Sequence, residues 1–85
     1  MVKAGECYFD TILKSYIVVE DIDEESESVY VSIYKQDGRK INFEYLCDER
    51  GYIIFALSYI NPLVNSKAIV LADRDSLDSV LRVLI

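Results

Sequence analysis

The chain has 85 residues, 52% of them hydrophobic, and carries a formal net charge of −6 at pH 7. This length predicts a single domain spanning residues 1–85, and the high apolar fraction argues against a disordered chain. A sequence pI near 4.4 argues against binding to phosphate backbones, which requires clustered Lys and Arg, so nucleic acid is not an expected partner.

The N-terminal residues and the two cysteines bear on localisation. The first residues lead into polar side chains, unlike a secretory signal, and the apolar run at residues 52–60 has about half the length of a membrane-spanning helix. Cys7 and Cys47 match no metal-binding or redox spacing. We therefore expect a cytoplasmic protein with no membrane segment and with both cysteines reduced, although a disulfide between them is geometrically possible.

Alternating hydrophobicity dominates the first two-thirds of the chain and predicts strands. The first three runs of β-branched and aromatic residues, which favour strand, lie at residues 6–10, 16–20 and 29–34. In the third of these, Val29, Val31 and Ile33 fall on one face, because side chains alternate along a strand.

Two hairpins are predicted next. Asp37-Gly38 accepts the positive φ angles of a tight turn, and the strand at residues 40–45 returns from it. Residues 47–51 make a second hairpin connection, which leads into a strand at residues 52–57 that is apolar on both faces.

The C-terminal third is predicted to change from strand to helix. Pro62 is expected to end the preceding element, because proline has no N–H to donate and restricts the residue before it. A loop at residues 63–66 then leads to a last strand at residues 68–71. Asp75 is placed to cap a helix, with Asp78 as a weak capping-box partner. The apolar face of that helix consists of Leu77, Val80, Leu81 and Leu84.

These elements predict a mainly β (α+β) fold, a small antiparallel β-barrel or bent sheet of five to six strands with one C-terminal helix. Gly5-Glu6-Cys7-Tyr8 is followed by residues 16–19, a long acidic connection, residues 29–31 and the Asp37-Gly38 hairpin. This order of elements resembles a small SH3-like barrel. Such barrels are common among small proteins of phages and other mobile elements. The resemblance covers residues 5–60 and implies a fold but no functional residue.

The residue types present exclude the common catalytic systems. Without histidine, Ser-His-Asp and Cys-His nucleophilic systems are impossible, and three scattered glycines form no phosphate-binding loop. We therefore expect a protein that is not an enzyme and that binds no cofactor or metal.

The acidic segment at residues 20–27 holds six acidic side chains in eight residues, and the rest of the chain is neutral. It lies between two predicted strands and is therefore expected to form a hairpin tip. A calcium loop is disfavoured, because the glycine of the sharp turn and the terminal bidentate Glu are missing. Both a solubilising role and the binding of a basic partner are consistent with this concentration of charge.

Tyr30 and Tyr34 share the strand face opposite Val29 and follow the acidic segment, and Tyr is favoured in protein interfaces. The main hypothesis is an inhibitor or adaptor that docks on a basic protein, such as one that handles nucleic acid, with phage anti-defence as the expected setting. Its predicted partner-binding residues are Glu20, Asp21, Asp23, Glu24, Glu25, Glu27, Tyr30 and Tyr34.

Two alternatives remain open at this level. One is an oligomeric small-molecule or nucleotide binder that uses Tyr stacking with Arg39, Lys40 or Arg50. The other is a barrel that binds single-stranded nucleic acid through stacked Tyr rings, against which the net charge counts. The apolar, neutral remainder of the chain also allows a homodimer interface.

Overall fold

The computed structural model describes residues 1–41, 47–73, 75 and 78. Within these residues the elements are β1 (Cys7–Asp10), β2 (Ser15–Asp23), β3 (Ser28–Lys35), β4 (Ile53–Ala56), α1 (Leu57–Asn65) and β5 (Ile69–Ala72). The strands form one antiparallel sheet in the order β4-β3-β2-β1-β5. The strands of the described residues do not close into a barrel, because β4 and β5 lie at opposite edges of the sheet, so of the two predicted architectures the bent sheet is the one observed.

The long β2–β3 hairpin forms the centre of the core. Val19 pairs with Val31, and both side chains are fully buried on the face of the sheet that α1 covers. Ile60 anchors α1 to this face and is 1% exposed. The alternation of apolar residues that predicted β3 therefore reflects real burial on one face.

A β-bulge at Glu20 keeps the alternation of β2 in phase with the core. The register with β3 moves from Val19↔Val31 directly to Asp21↔Tyr30, so Glu20 is the extra residue. Without this extra residue Ile22 would fall on the outer face and Asp21 on the core face, because sides alternate along a strand. With it, Ile22 packs against the core and Asp21 lies outside.

The helix α1 corrects the sequence-based assignment. Residues 57–65 were predicted as a strand end, a proline stop and a loop, but they form one helix with Pro62 inside it. No side chain caps its start at Ala56, and it has no acidic residue in its first turn and no basic residue in its last. Since these local signals are absent, packing of Ile60 and Leu63 on the sheet is what stabilises the helix.

The turns of both predicted hairpins are confirmed. At the first, the Lys35 N–H donates to the Arg39 carbonyl at 2.8 Å, and Gly38 has a φ of 90° that favours glycine. After the turn, Lys40 forms a bridge with Tyr34 and the Ile41 N–H donates to the Ile33 carbonyl at 2.8 Å. The rest of the predicted strand at residues 40–45 lies outside the described residues.

At the second hairpin, the Asp48 N–H donates to the Tyr52 carbonyl at 2.8 Å, and Cys47 forms a bridge with Ile53 of β4. Cys47 is not joined to Cys7 by a disulfide.

The predicted C-terminal helix falls mostly outside the described residues, including its apolar positions 77, 80, 81 and 84. Asp75 and Asp78 both have helical backbone, and the N–H of Asp75 donates to Asp73 Oδ1 at 3.0 Å. The carboxylate of Asp73 thus bonds to the backbone at the start of the predicted helix, in the manner of a capping residue.

Candidate functional site

The acidic segment divides into a strand portion and a turn. β2 continues to Asp23, so the expectation that all of residues 20–27 form a hairpin tip is wrong, and the turn comprises residues 24–27. Asp23 Oδ1 accepts hydrogen bonds from the backbone N–H groups of Glu25 at 3.1 Å and Ser26 at 3.4 Å. Glu27 completes the turn with a left-handed φ of 54°. The turn is therefore held by its own acidic residue.

Glu20 and Asp21 are engaged within the sheet. Glu20 Oε2 accepts a hydrogen bond at 3.1 Å from the hydroxyl of Ser32, which is only 1% exposed. Asp21 Oδ2 lies 3.3 Å from the guanidinium of Arg50. These two carboxylates, which the sequence assigned to partner binding, thus have partners inside the molecule.

Arg50 is the residue that the sequence analysis did not place in this site. Its guanidinium lies 5.0 Å from the ring centre of Tyr30 and 4.6 Å from that of Tyr52, within the range of cation–π attraction. Its Nη2 lies 2.8 Å from Asp48 Oδ2. Arg50 and Asp21 are 29 residues apart in sequence, and no local pattern signals that they meet.

The electrostatics keep this cluster charged at neutral pH. Burial alone raises the pKa of Asp48, but hydrogen bonds from the Tyr52 N–H and from Arg50 outweigh it, so the pKa of Asp48 lies below its usual value. The pKa of Arg50 is raised, chiefly by its hydrogen bond to Asp48. The two groups therefore remain an ion pair across the physiological range.

The turn carboxylates differ from those of the strand. Glu24, Glu25 and Glu27 are exposed, and the ion pairs found among the described residues involve none of them. They concentrate uncompensated negative charge at one end of the β2–β3 hairpin.

The structure brings most of the predicted set together but separates Tyr34 from it. A shallow depression of about 530 Å³ is lined by Asp21, Asp23, Glu24, Glu25 and Tyr30, together with Ile22 and Arg50. Tyr34 lies four residues further along β3, pairs with Tyr16 and packs against Val18 and Cys7 on the outer face of the sheet. The acidic turn and Tyr30 therefore form the candidate surface, and Tyr34 belongs to a second apolar cluster.

Within the described part of the chain, no group of three or more acidic or cysteine side chains is arranged to hold a metal ion. Nor does any helix in that part have the length and apolar character needed to cross a bilayer. Comparisons with protein-family models, with curated proteins and with solved structures find no match to this chain.

Proposed function

We propose that the chain is a non-enzymatic binding protein, an inhibitor or adaptor that presents its acidic turn to a basic surface on a protein partner. The observation that carries the proposal is the exposure of Glu24, Glu25 and Glu27, which form no ion pair with any described residue, on a turn held by Asp23. Glu20 and Asp21 have internal partners and serve to build the hairpin rather than to contact the partner.

The rigidity of the hairpin favours recognition over a purely solubilising role. β2 and β3 pair from Ser15↔Lys35 to Asp23↔Ser28, and the N–H of Leu57, at the start of α1, donates to the Glu27 carbonyl at 2.8 Å. A turn backbone that is held in place loses little conformational entropy on binding, so more of the interaction energy is available for affinity. Concentrated charge also accelerates encounter with an oppositely charged surface.

The partner class follows from the chemistry of the turn. A protein that handles nucleic acid has a basic phosphate-binding surface, and clustered carboxylates compete with phosphates for such a surface. Tyr30, half-buried under Arg50, borders the turn and offers an aromatic contact next to the charges. We therefore include in the proposed function the inhibition of such a protein in phage anti-defence.

The test is affinity capture from lysate of the cells in which the chain naturally occurs, comparing the wild type with Glu24→Gln/Glu25→Gln/Glu27→Gln. The wild type is expected to retain basic proteins that high salt or excess duplex DNA releases, and the triple variant is expected to lose them. Glu49→Gln, an exposed acidic change on the neighbouring turn, serves as a control and should retain them. Capture that is equal for the triple variant and insensitive to salt would contradict the proposal.

A further inference from the structure

An apolar groove lies at the end of the sheet opposite the acidic turn. It has a volume of about 620 Å³ and runs between α1 and the sheet, where β2 begins and β3 ends. Its apolar walls include Ile17 and Ile33 from the sheet, Phe55 from β4, and Ile60 and Leu63 from α1. Its size and lining are those of a small-molecule site, which is typically a largely apolar cleft with a few charged groups at its border.

The charged groups at the border of the groove are two acids and two lysines, and Arg39, ion-paired to Asp37, adds a third cation, so cations outnumber acids by three to two. Asp10, Asp37, Lys14 and Lys35 all line it. Asp10 Oδ1 accepts the backbone N–H groups of Ile12 and Leu13, each at 2.9 Å, and Asp37 Oδ2 lies 2.6 Å from Arg39 Nε. Asp10 is therefore engaged by its own turn and Asp37 chiefly by Arg39, although the charge of Lys35 also acts on Asp37. The ion pairs among the described residues include neither Lys14 nor Lys35.

The turn between β1 and β2 exposes apolar side chains at the rim of the groove. Ile12 is 76% and Leu13 is 75% exposed, and Leu13 lines the groove directly. The next residue, Lys14, has a left-handed φ of 55°, and Asp10 holds the turn that requires it. An apolar occupant that covers such a side chain removes apolar surface from water, which lowers the free energy of the bound state.

We propose that this groove binds an amphipathic monoanion, a carboxylate with an unbranched hydrocarbon chain of the fatty-acid class. The hydrocarbon chain lies along Ile17, Ile33 and Leu63, and the carboxylate meets the ammonium groups of Lys14 and Lys35 at the border. Lysine suits this role because its aliphatic stem covers apolar surface while its charge stays in water. Charge complementarity at the border thus selects an anion, although the whole protein has a net charge of −6.

The direct test is isothermal titration calorimetry of the full chain with decanoate below its micelle concentration. Saturable binding with one decanoate per chain is expected. Each buried methylene strengthens binding about fourfold, so octanoate should bind roughly fifteenfold more weakly. Decyltrimethylammonium, which has the same chain and the opposite charge, should bind much more weakly than decanoate.

Surface variants test the assigned residues without threatening the fold. Lys14→Gln/Lys35→Gln is expected to weaken decanoate binding about tenfold, because it removes charge-assisted contacts. Leu13→Gln should also weaken it. Lys67→Gln is the control. Lys67 lies at the same end of the molecule, since the carbonyl of its neighbour Ala68 accepts the Thr11 N–H, but Lys67 does not line the groove.

Three binding results would each overturn the proposal. These are the absence of saturable heat with decanoate, equal binding of the cationic analogue, and unchanged affinity in both Lys14→Gln/Lys35→Gln and Leu13→Gln. Dimerisation in sedimentation experiments that Leu13→Gln abolishes would also overturn it, since a second copy would then occupy the groove. We expect decanoate to bind unchanged to the variant Glu24→Gln/Glu25→Gln/Glu27→Gln, because the acidic turn lies at the other end of the hairpin.

Discussion

Arg50 joins segments of the chain that are distant in sequence. Its guanidinium bonds to Asp48 on its own turn, reaches Asp21 on β2 and lies over the ring of Tyr30 on β3. The hairpin at residues 47–51 is thereby fastened to the hairpin that carries the acidic turn. The side chain that stabilises the candidate surface is thus a cation, although the conspicuous residues of that surface are acidic.

The hydrogen bond between Ser32 and Glu20 gives a prediction for the bulge. Glu20→Ala leaves the hydroxyl of Ser32 without its acceptor, and we expect a loss of about 1–2 kcal/mol in the free energy of unfolding, measured in urea. Glu20→Ala/Ser32→Ala should recover part of this loss, because it removes both partners. Glu24→Ala, an exposed control, should change stability by less than about 0.5 kcal/mol. Equal effects of Glu20→Ala and Glu24→Ala would contradict the prediction.

Tyr8 gives a prediction for alkaline pH. Its ring is 3% exposed and its hydroxyl donates to Glu6 Oε1 at 2.7 Å. Burial, and then the hydrogen bond and charge of Glu6, raise the pKa of Tyr8 well above its usual value of 10.0. The folded state therefore keeps a proton that the unfolded chain releases, so stability is complete below about pH 10 and decreases above it.

The measurement is the urea midpoint at several pH values from 8 to about 11.5. Tyr8→Phe cannot release this proton on unfolding, so its midpoint should decline less steeply above pH 10 than that of the wild type. Tyr59→Phe, on an exposed ring, is the control for the other tyrosines and should follow the wild type. Parallel curves for Tyr8→Phe and the wild type would rule out this linkage.

At the level of elements, α1 is a helix that its own sequence does not favour. Pro62 lies inside it and supplies no N–H to the carbonyl of Ser58, and an uncapped Ala56 precedes it. Two contacts compensate for these defects. Ile60 is buried against the sheet, and Asn61 Oδ1 accepts the backbone N–H of Val2 at 3.2 Å. The helix therefore depends on the tertiary structure around it.

Pro62→Ala is expected to stabilise the protein by about 1–2 kcal/mol, because it restores a helical hydrogen bond at an exposed position. The gain is less than the full cost of an interior proline, since proline also restricts the unfolded chain. Pro62→Gly restores the same N–H but should be about 1 kcal/mol less stable than Pro62→Ala. Thermal and urea unfolding both measure these differences, and a destabilised Pro62→Ala would refute this account of α1.

At the scale of the whole molecule, the β2–β3 hairpin separates two surfaces of different chemistry. The acidic turn lies at one end, and the groove bordered by Lys14 and Lys35 lies at the other. α1 contacts the acidic turn through its first residue, where the Leu57 N–H donates to the Glu27 carbonyl, and lines the groove with Ile60 and Leu63. The two proposed sites can therefore be changed independently.

The concentration of charge predicts a dependence of stability on salt. Crowded carboxylates in the acidic turn repel one another, and salt screens this repulsion over a Debye length of about 10 Å at 0.1 M. Raising NaCl from about 10 to 150 mM should increase the midpoint of thermal unfolding by roughly 2–4 °C. Glu24→Gln/Glu25→Gln/Glu27→Gln should start from a higher midpoint at low salt and respond less. The same salt response in this variant would show that the turn is not a centre of repulsion.

Among the described residues, the five strands of the sheet, the turn at Asp37-Gly38 and the position of the acidic segment follow from the sequence by itself. Each depends on local chemistry: alternation of apolar side chains, a positive φ that glycine accepts, and a run of like charges. Only the tertiary structure decided the helical state of residues 57–65, the bulge at Glu20, the role of Arg50 and the existence of the groove. All of these arise from contacts between residues far apart in sequence, where burial and pairing outweigh local preference.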